Sequence, residues 1–419
     1  MVFPNNLVFN PKSPTIMHVD LNSCFATIEQ QAYRKFRGKP LAVAAYKTPN
    51  GCIIAPSVEA KKLGIKVGMR VKDGKMICPE LIVLEPDPWK YRNVHLKLKN
   101  ILLTYTENLT PKSIDEFILN LEGFPAMKKG IANVAREIKE RIKKEIGEWI
   151  TVSAGIAPNR LLAKTAAGLK KPDGLETIDA TNYYEIYSRL GLYDFCGIKT
   201  NNIVRLNKAG IYTVLDFYNA SPKKLYLAFH SVVGYYWYMR LKGWEPDDVI
   251  FGRHSFGNSV ALYNPLLTSE ELSPVLMKLV DKMSRRMRRA GFVARGVHVA
   301  ALYRNGTHWH HGTSVDDKLF ASGDIYKIAY KILCHSPYKL PVHTLAVSCF
   351  NLIKSDYSQL DMFDDVGKKR RLTDAMDTIT DKWGNYVITP ARMLDAKSIV
   401  KDRIAFGNIK ELEEFIITQ

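Results

Sequence analysis

The chain has 419 residues, 46% of them hydrophobic, and 60 Lys and Arg against 42 Asp and Glu give it a formal net charge of +18. That length exceeds one compact core and predicts two to four domains, the composition excludes a disordered chain, and no stretch approaches the roughly 18 consecutive apolar residues of a membrane helix. The basic excess recurs in separate clusters, at 136–144, 170–171, 223–224, 285–289 and 368–371, which suits a polyanionic partner, nucleic acid before membrane surface, held by several domains.

In chain order, the opening MVFPNNLVFNPKSP lacks a basic start followed by a long apolar run and is not read as a signal peptide. TIMHVDL predicts a strand leading into helical CFATIEQQAYRKF. PLAVAAY is a strand, and GCIIAPSVEAKKLGIKVG a strand, turn and short helix closed by Gly64. LIVLEPD is a buried strand, WKYRNVHLKLKNILLTY a helix, and KSIDEFILNLEG a strand or hairpin. Positions 131, 134, 135, 138, 142 and 146 put one apolar face on the next helix. WITVSAGIA is a strand and NRLLAKTAAGLKKP a helix ending before Pro172, so the first 175 residues form a mixed α/β layer. Residues 181–250 lose their strands and become short helices, and EPDDVIFGR reads as a linker. Strand 256–263, helix 269–290, strands 295–304 and 307–313, helix 323–334 and strand 343–352 then spell βαββαβ, a small sheet with both helices on one face. A polar tail follows Ser355.

Asp20 stands inside an apolar strand, where an unpaired charge is expensive. It needs a cation, or else it is a solvated strand end. Asp115 and Glu116 also interrupt an apolar run. On a straight strand only one of them shares a face with Asp20, whereas at a hairpin tip or bulge both do. Three carboxylates on adjacent strands suit a hard cation such as Mg2+, and a pair of ions about 4 Å apart activates an attacking oxygen and stabilises a leaving phosphate oxygen. The alternative is an acidic pair capping a hairpin in solvent. The scattered cysteines, 24, 52, 78, 196, 334 and 349, form no CxxC pair, which argues against zinc or disulfide frameworks and for a reducing cytosol. Lys164 lies near a helix start, where an ammonium and backbone N–H groups hold phosphates. It and Lys61 are read as phosphate contacts or as solvated lysines.

HVDLNSCFATIE, GCIIAPSVEAKKLGIKVGM, SIDEF and VSAGIAPNRLLAKTAAGLKKPDG follow the order and spacing found in the Y-family translesion DNA polymerases. The similarity continues through FCGIKTNNIVRLNKAGIYTVLDF and GRHSFGNSV and covers roughly residues 14–405. Its GCIIAP…EAKKLG segment looks more like the UmuC branch than the DinB branch. The resemblance implies an α/β and α+β multidomain right hand: palm 14–23 and 87–172, fingers 24–86, helical thumb 173–246, βαββαβ little finger 252–355, and a tail 356–419. It further implies metal ligation by Asp20, Asp115, Glu116 and the Leu21 carbonyl, with two Mg2+ ions or Mn2+ in their place. Phe25 falls at the steric gate against a ribose 2′-OH, a position that residue-level reasoning gives to a core aromatic. Lys164 matches a lysine on the incoming triphosphate. Val58 and Lys61 stand where DinB-like members carry Tyr and Arg, so charge remains but the bidentate fork is lost. CGIK replaces the usual PGIG of the thumb hairpin.

QLDMF resembles a sliding-clamp (beta clamp) peptide, with Leu360, Met362 and Phe363 filling an apolar groove and Gln359 bonding at its rim. Arg285, Arg286, Arg288 and Arg289 are read as phosphate contacts, Tyr235 to Tyr238 as core packing, and His308, His310 and His311 as structural. The implied activity is template-directed, low-fidelity lesion bypass on primer-template DNA with dNTPs, in the cytoplasm at the nucleoid and off the membrane. Two rivals stand beside it: a catalytic subunit needing an accessory partner, and a non-catalytic DNA- and clamp-binding adaptor.

Overall fold

Alternating apolar side chains set the first unit's central strand. The structure is a computed structural model that describes residues 7–248, 252–355, 366–383 and 387–396, and these fall into two units divided between 248 and 252. The first unit runs β1 (Ile16–Leu21), α1 (Cys24–Ala32), β2 (Leu41–Ala44), β3 (Ile53–Pro56), α2 (Val58–Lys62), α3 (Val71–Ile77), β4 (Ile82–Leu84) and α4 (Pro88–Leu103). It continues through β5 (Leu109–Pro111), β6 (Glu116–Asn120), α5 (Ile131–Glu145), β7 (Val152–Ala157), α6 (Arg160–Leu169) and β8 (Leu175–Thr177). The short helices α7 (Tyr183–Arg189), α8 (Thr200–Lys208), α9 (Val214–Asn219), α10 (Pro222–Phe229) and α11 (Val233–Leu241) complete it.

One five-stranded sheet has the order β5–β6–β1–β7–β8, and a three-stranded sheet has the order β3–β2–β4. Met17, Val19 and Leu21 point from β1 into a core shared with Phe117 and Leu119 of β6 and with Val134, Ala135, Ile138 and Ile142 of α5. The apolar spacing of 131–146 thus does what a helix on a sheet requires. His18 and Asp20 occupy the alternate positions of β1. The expected KSIDEF hairpin exists as β5–β6. Strand β8 pairs with β7 three residues past the predicted palm limit of 172. On α11, Trp237 and Tyr238 are buried, whereas Tyr236 is 37% exposed, so the aromatic run packs on one side only.

The second unit follows the predicted order: β9 (Ser255–Leu266), α12 (Ser269–Arg289), β10 (Phe292–Tyr303), β11 (His308–Leu319), α13 (Ser322–Cys334) and β12 (Val342–Lys354). Its antiparallel sheet runs β11–β10–β12–β9. Val297, Val299 and Ala301 face a core with Val280, Met283 and Ala329, while His298 and Ala300 lie on the other side. The strands extend beyond their apolar stretches because ladder pairing continues through polar residues, as far as Ala294 opposite Leu319.

The tail is more than polar linker. Helix α14 (Val366–Trp383) follows, and Met393 beyond it is buried in the second unit's core. The helix docks by charge. Both Asp377 oxygens accept from Arg288 at 2.7 Å, Asp381 pairs with Arg285 and Arg289, and Lys369 reaches Asp324 at 2.9 Å. Leu372, Ile379 and Trp383 stay exposed. The arginines expected on DNA are therefore engaged by carboxylates, with Arg286 donating to the Gly257 carbonyl at 3.2 Å. The QLDMF segment, Gln359 to Phe363, lies outside the described residues.

Candidate active site

Strand register brings the carboxylates together. Asp20 on β1 lies opposite Glu116 on β6 and opposite Ser153 on β7. Asp115 precedes β6 at the hairpin tip, where its carbonyl accepts from the Leu21 N–H at 2.9 Å. Both acidic neighbours thus lie close enough to Asp20 for the charges to act on one another, which a straight strand would not permit. Burial pushes the Asp115 carboxyl up to about 6, the Ser113 hydroxyl donates to it in opposition, and the charges of Asp20 and Glu116 raise it further. Burial also raises Asp20, against the pull of Lys171. Burial alone would raise Glu116, but hydrogen bonds from Lys164 outweigh it and its pKa is lowered.

Two ammonium groups face this cluster. Lys171 Nζ lies 2.8 Å from Asp20 Oδ1, and Lys164 Nζ lies 2.8 and 2.7 Å from the two Glu116 oxygens. Lys164 arrives there because α6 lies flat on β7 at Gly155, where a Cβ would stand 2.1 Å from the Ala163 carbonyl oxygen and the Ala167 nitrogen. The start of α6 does not serve as an open anion site. Asn159 accepts from the Leu162 N–H and Glu245 from the Arg160 N–H, so these two N–H groups are already engaged. Lys171 is held by its loop. Asn22 Oδ1 accepts from the Asp173 N–H at 2.8 Å, Asn22 Nδ2 donates to Ser153 Oγ at 2.9 Å, and Lys143 pairs with Asp173 at 2.8 Å. Ser23 adopts φ 51°, unusual for a non-glycine residue, and lets α1 start directly after β1.

Lys61 on α2 joins the same field. Burial first, and then the Lys171 charge, lower its pKa, while Asp20 and Asp115 raise it. Phe25 is fully buried and stacks on Tyr91 at 4.1 Å, as a core aromatic does. Tyr91 in turn donates to buried Glu29 at 3.0 Å. Asn22, Ser153, Ser113 and His18 escaped sequence reasoning, and Lys171 was seen only as part of a basic cluster. The period of two that sets His18 beside Asp20 on one face of β1 was a usable signal. The donor set of carboxylates around Asp20 offers oxygen atoms, the chemistry a hard divalent ion requires.

A model of the impB/mucB/samB family matches residues 19–168, and one of that family's C-terminal domain matches residues 253–362. A DNA polymerase IV of Moorella thermoacetica is 30% identical over 394 residues, covering 92% of this chain and 98% of that protein. The chain belongs to the Y family of DNA polymerases. A DNA polymerase IV of Pelotomaculum thermopropionicum is 29% identical over 93% of this chain and 97% of its own length. A solved Y-family polymerase chimera, Dbh-Dpo4-Dbh, superimposes with a TM-score of 0.70 at 25% identity, covering 81% of this chain and 99% of that one. The chain is a DNA-directed DNA polymerase of the translesion type. Its relatives carry the name DNA polymerase IV, so the expected likeness to the UmuC branch finds no support in them.

Proposed function

We propose that Asp20, Asp115, Glu116 and the Leu21 carbonyl hold two Mg2+ ions, with Mn2+ as a substitute, for low-fidelity nucleotidyl transfer. The observation that carries this reading is the convergence of three carboxylates, two of them paired with Lys164 and Lys171. When bound, the ions would lower the pKa of the primer 3′-OH and neutralise charge on the phosphates. The 3′-OH attacks the α-phosphate of the dNTP, and pyrophosphate leaves. Lys61, Lys164 and Lys171 bind the triphosphate and orient it, so positioning and charge do most of the work. The decisive experiment is primer extension by the purified chain alone on undamaged and abasic templates, with Mg2+ or EDTA. Metal-dependent extension is expected. DNA binding without extension would favour a partner-dependent subunit, a reading that the relatives, like the adaptor reading, do not favour.

Phe25, backed by Tyr91, is assigned to the pocket wall that a 2′-OH would strike. Phe25→Val is expected to lower the preference for dNTP over rNTP, read from single-nucleotide insertion with each. An unchanged ratio would return Phe25 to a core role. The tail residues Gln359, Leu360, Met362 and Phe363 are assigned to a sliding clamp, which raises the effective concentration of the enzyme on DNA. The enzyme is assigned to the cytoplasm, at the nucleoid where its DNA lies; the cytoplasmic part fits its bacterial relatives.

Phosphate contact by Arg285, Arg288 and Arg289 competes with Asp377 and Asp381, since the Arg288 side chain is 6% and that of Arg285 12% exposed. An Asp377→Asn/Asp381→Asn chain is expected to bind DNA more tightly at low salt, with a steeper salt slope. Fluorescence anisotropy between roughly 50 and 200 mM salt tests this. An unchanged slope would remove these arginines from the DNA surface.

A further inference from the structure

His18 has no task in the reaction described above. It is 1% exposed, and neither ring nitrogen has a hydrogen-bond partner. Native interiors seldom leave a polar ring in that condition. The period of β1 turns His18 to the same face as Asp20, and register sets Glu116 opposite Asp20. One donor atom from each of His18, Asp20 and Glu116 lies within 4.8 Å of the others. We propose that these three residues form a nitrogen-containing site for Zn2+, a borderline divalent ion, overlapping the Mg2+ site but distinct from it in donor set.

The donor chemistry separates the two ions. Mg2+ takes oxygen ligands, whereas Zn2+ accepts imidazole nitrogen beside carboxylate oxygen at about 2.0–2.2 Å, and Zn2+ outranks Mn2+ and Fe2+ at mixed nitrogen and oxygen sites. Lys164 and Lys171 must release Glu116 and Asp20, and both have room to do so, their side chains being 35% and 43% exposed. Zn2+ held there takes two carboxylates from catalysis, so the site makes the polymerase sensitive to zinc. It shares residues with the Mg2+ reading, but it is tested by metal binding alone, apart from extension.

The test uses the full chain stripped of metal and titrated with Zn2+ alone by calorimetry. His298 and His310, whose ring nitrogens lie 3.2 Å apart on an exposed strand pair, are replaced by alanine throughout to remove a competing pair of imidazoles. One Zn2+ per chain is expected. His18→Leu should weaken its binding at least tenfold while changing Mg2+ affinity less than threefold. Equal Zn2+ affinity in the two chains, or equal losses for Zn2+ and Mg2+, would overturn the proposal. Circular dichroism in EDTA checks folding, and His18→Gln serves where the leucine variant does not fold. A readout without any His18 variant is the 15N resonance of His18 in histidine-labelled chain. It should shift on adding Zn2+ and stay in place on adding Mg2+, and a resonance indifferent to Zn2+ would overturn the assignment.

Discussion

An Asp115→Asn chain should bind primer-template DNA normally and extend it roughly a thousandfold more slowly, the upper range for losing one preorganised electrostatic group. The same change should stabilise the chain when no metal is present. The folded Asp115 carboxyl titrates near 6 against an ordinary 3.8. A raised carboxyl stabilises the fold while it holds its proton. That contribution is complete below about 4 and is lost as pH rises through about 6. The cost of the charged form above that point is about 3 kcal/mol at most. Asparagine carries no such charge, so in EDTA the variant should melt higher than the parent at pH 7 and alike at pH 4. Adding Mg2+ should raise the parent's melting temperature and leave the variant's where it was. The proton also competes with the metal, so the Mg2+ concentration needed for half-maximal extension should climb as pH falls below about 6. A variant that extends DNA as the parent does would end the metal assignment, and one that loses DNA binding as well would point to a damaged fold.

This trade of stability for charge explains why so much of the site was legible. Carboxylates inside apolar strands violate the local pattern, and such violations stand out in a sequence. Asp20 and the Asp115–Glu116 pair were visible for that reason, and the apolar periods around them gave the strands and the helix beneath. The alternation of 256–352 gave the second unit's order for the same reason. What escaped was set by tertiary contact. Lys171 looks like any solvated lysine in KKPDG until Asn22 and Ser153 fix its loop against β1. Asn159 and Glu245 cap α6 from positions 86 residues apart in the chain, so the closed helix start could not be read locally. Helix α14 was missed because it inverts the usual rule. Leu372, Ile379 and Trp383 face solvent while Asp377 and Asp381 meet the arginines of α12, so the charged run read as a tail.

Lysine 171 yields the second large effect, and it has two signs. Without nucleotide its ammonium competes with a divalent ion for Asp20, so Lys171→Ala should tighten Mg2+ binding about threefold to fivefold, the scale of a partly exposed charge pair. With nucleotide the same group is assigned to the triphosphate, where a charge-assisted hydrogen bond contributes about 1.5–3 kcal/mol. The variant's KM for dNTP should therefore rise between roughly tenfold and a hundredfold. The loop itself should survive, because Asn22, Ser153 and Lys143 hold its backbone and Asp173 rather than the lysine side chain. Calorimetry with Mg2+ alone and single-turnover insertion across a dNTP series read the two effects separately. Lys171→Arg keeps the charge and should restore most of the dNTP affinity. Weakening of both metal and nucleotide binding in the alanine variant would mean that Lys171 serves only to orient Asp20. Lys164→Ala offers the matching comparison through Glu116: if Lys164 carries the triphosphate contact alone, its variant alone should show the rise in KM.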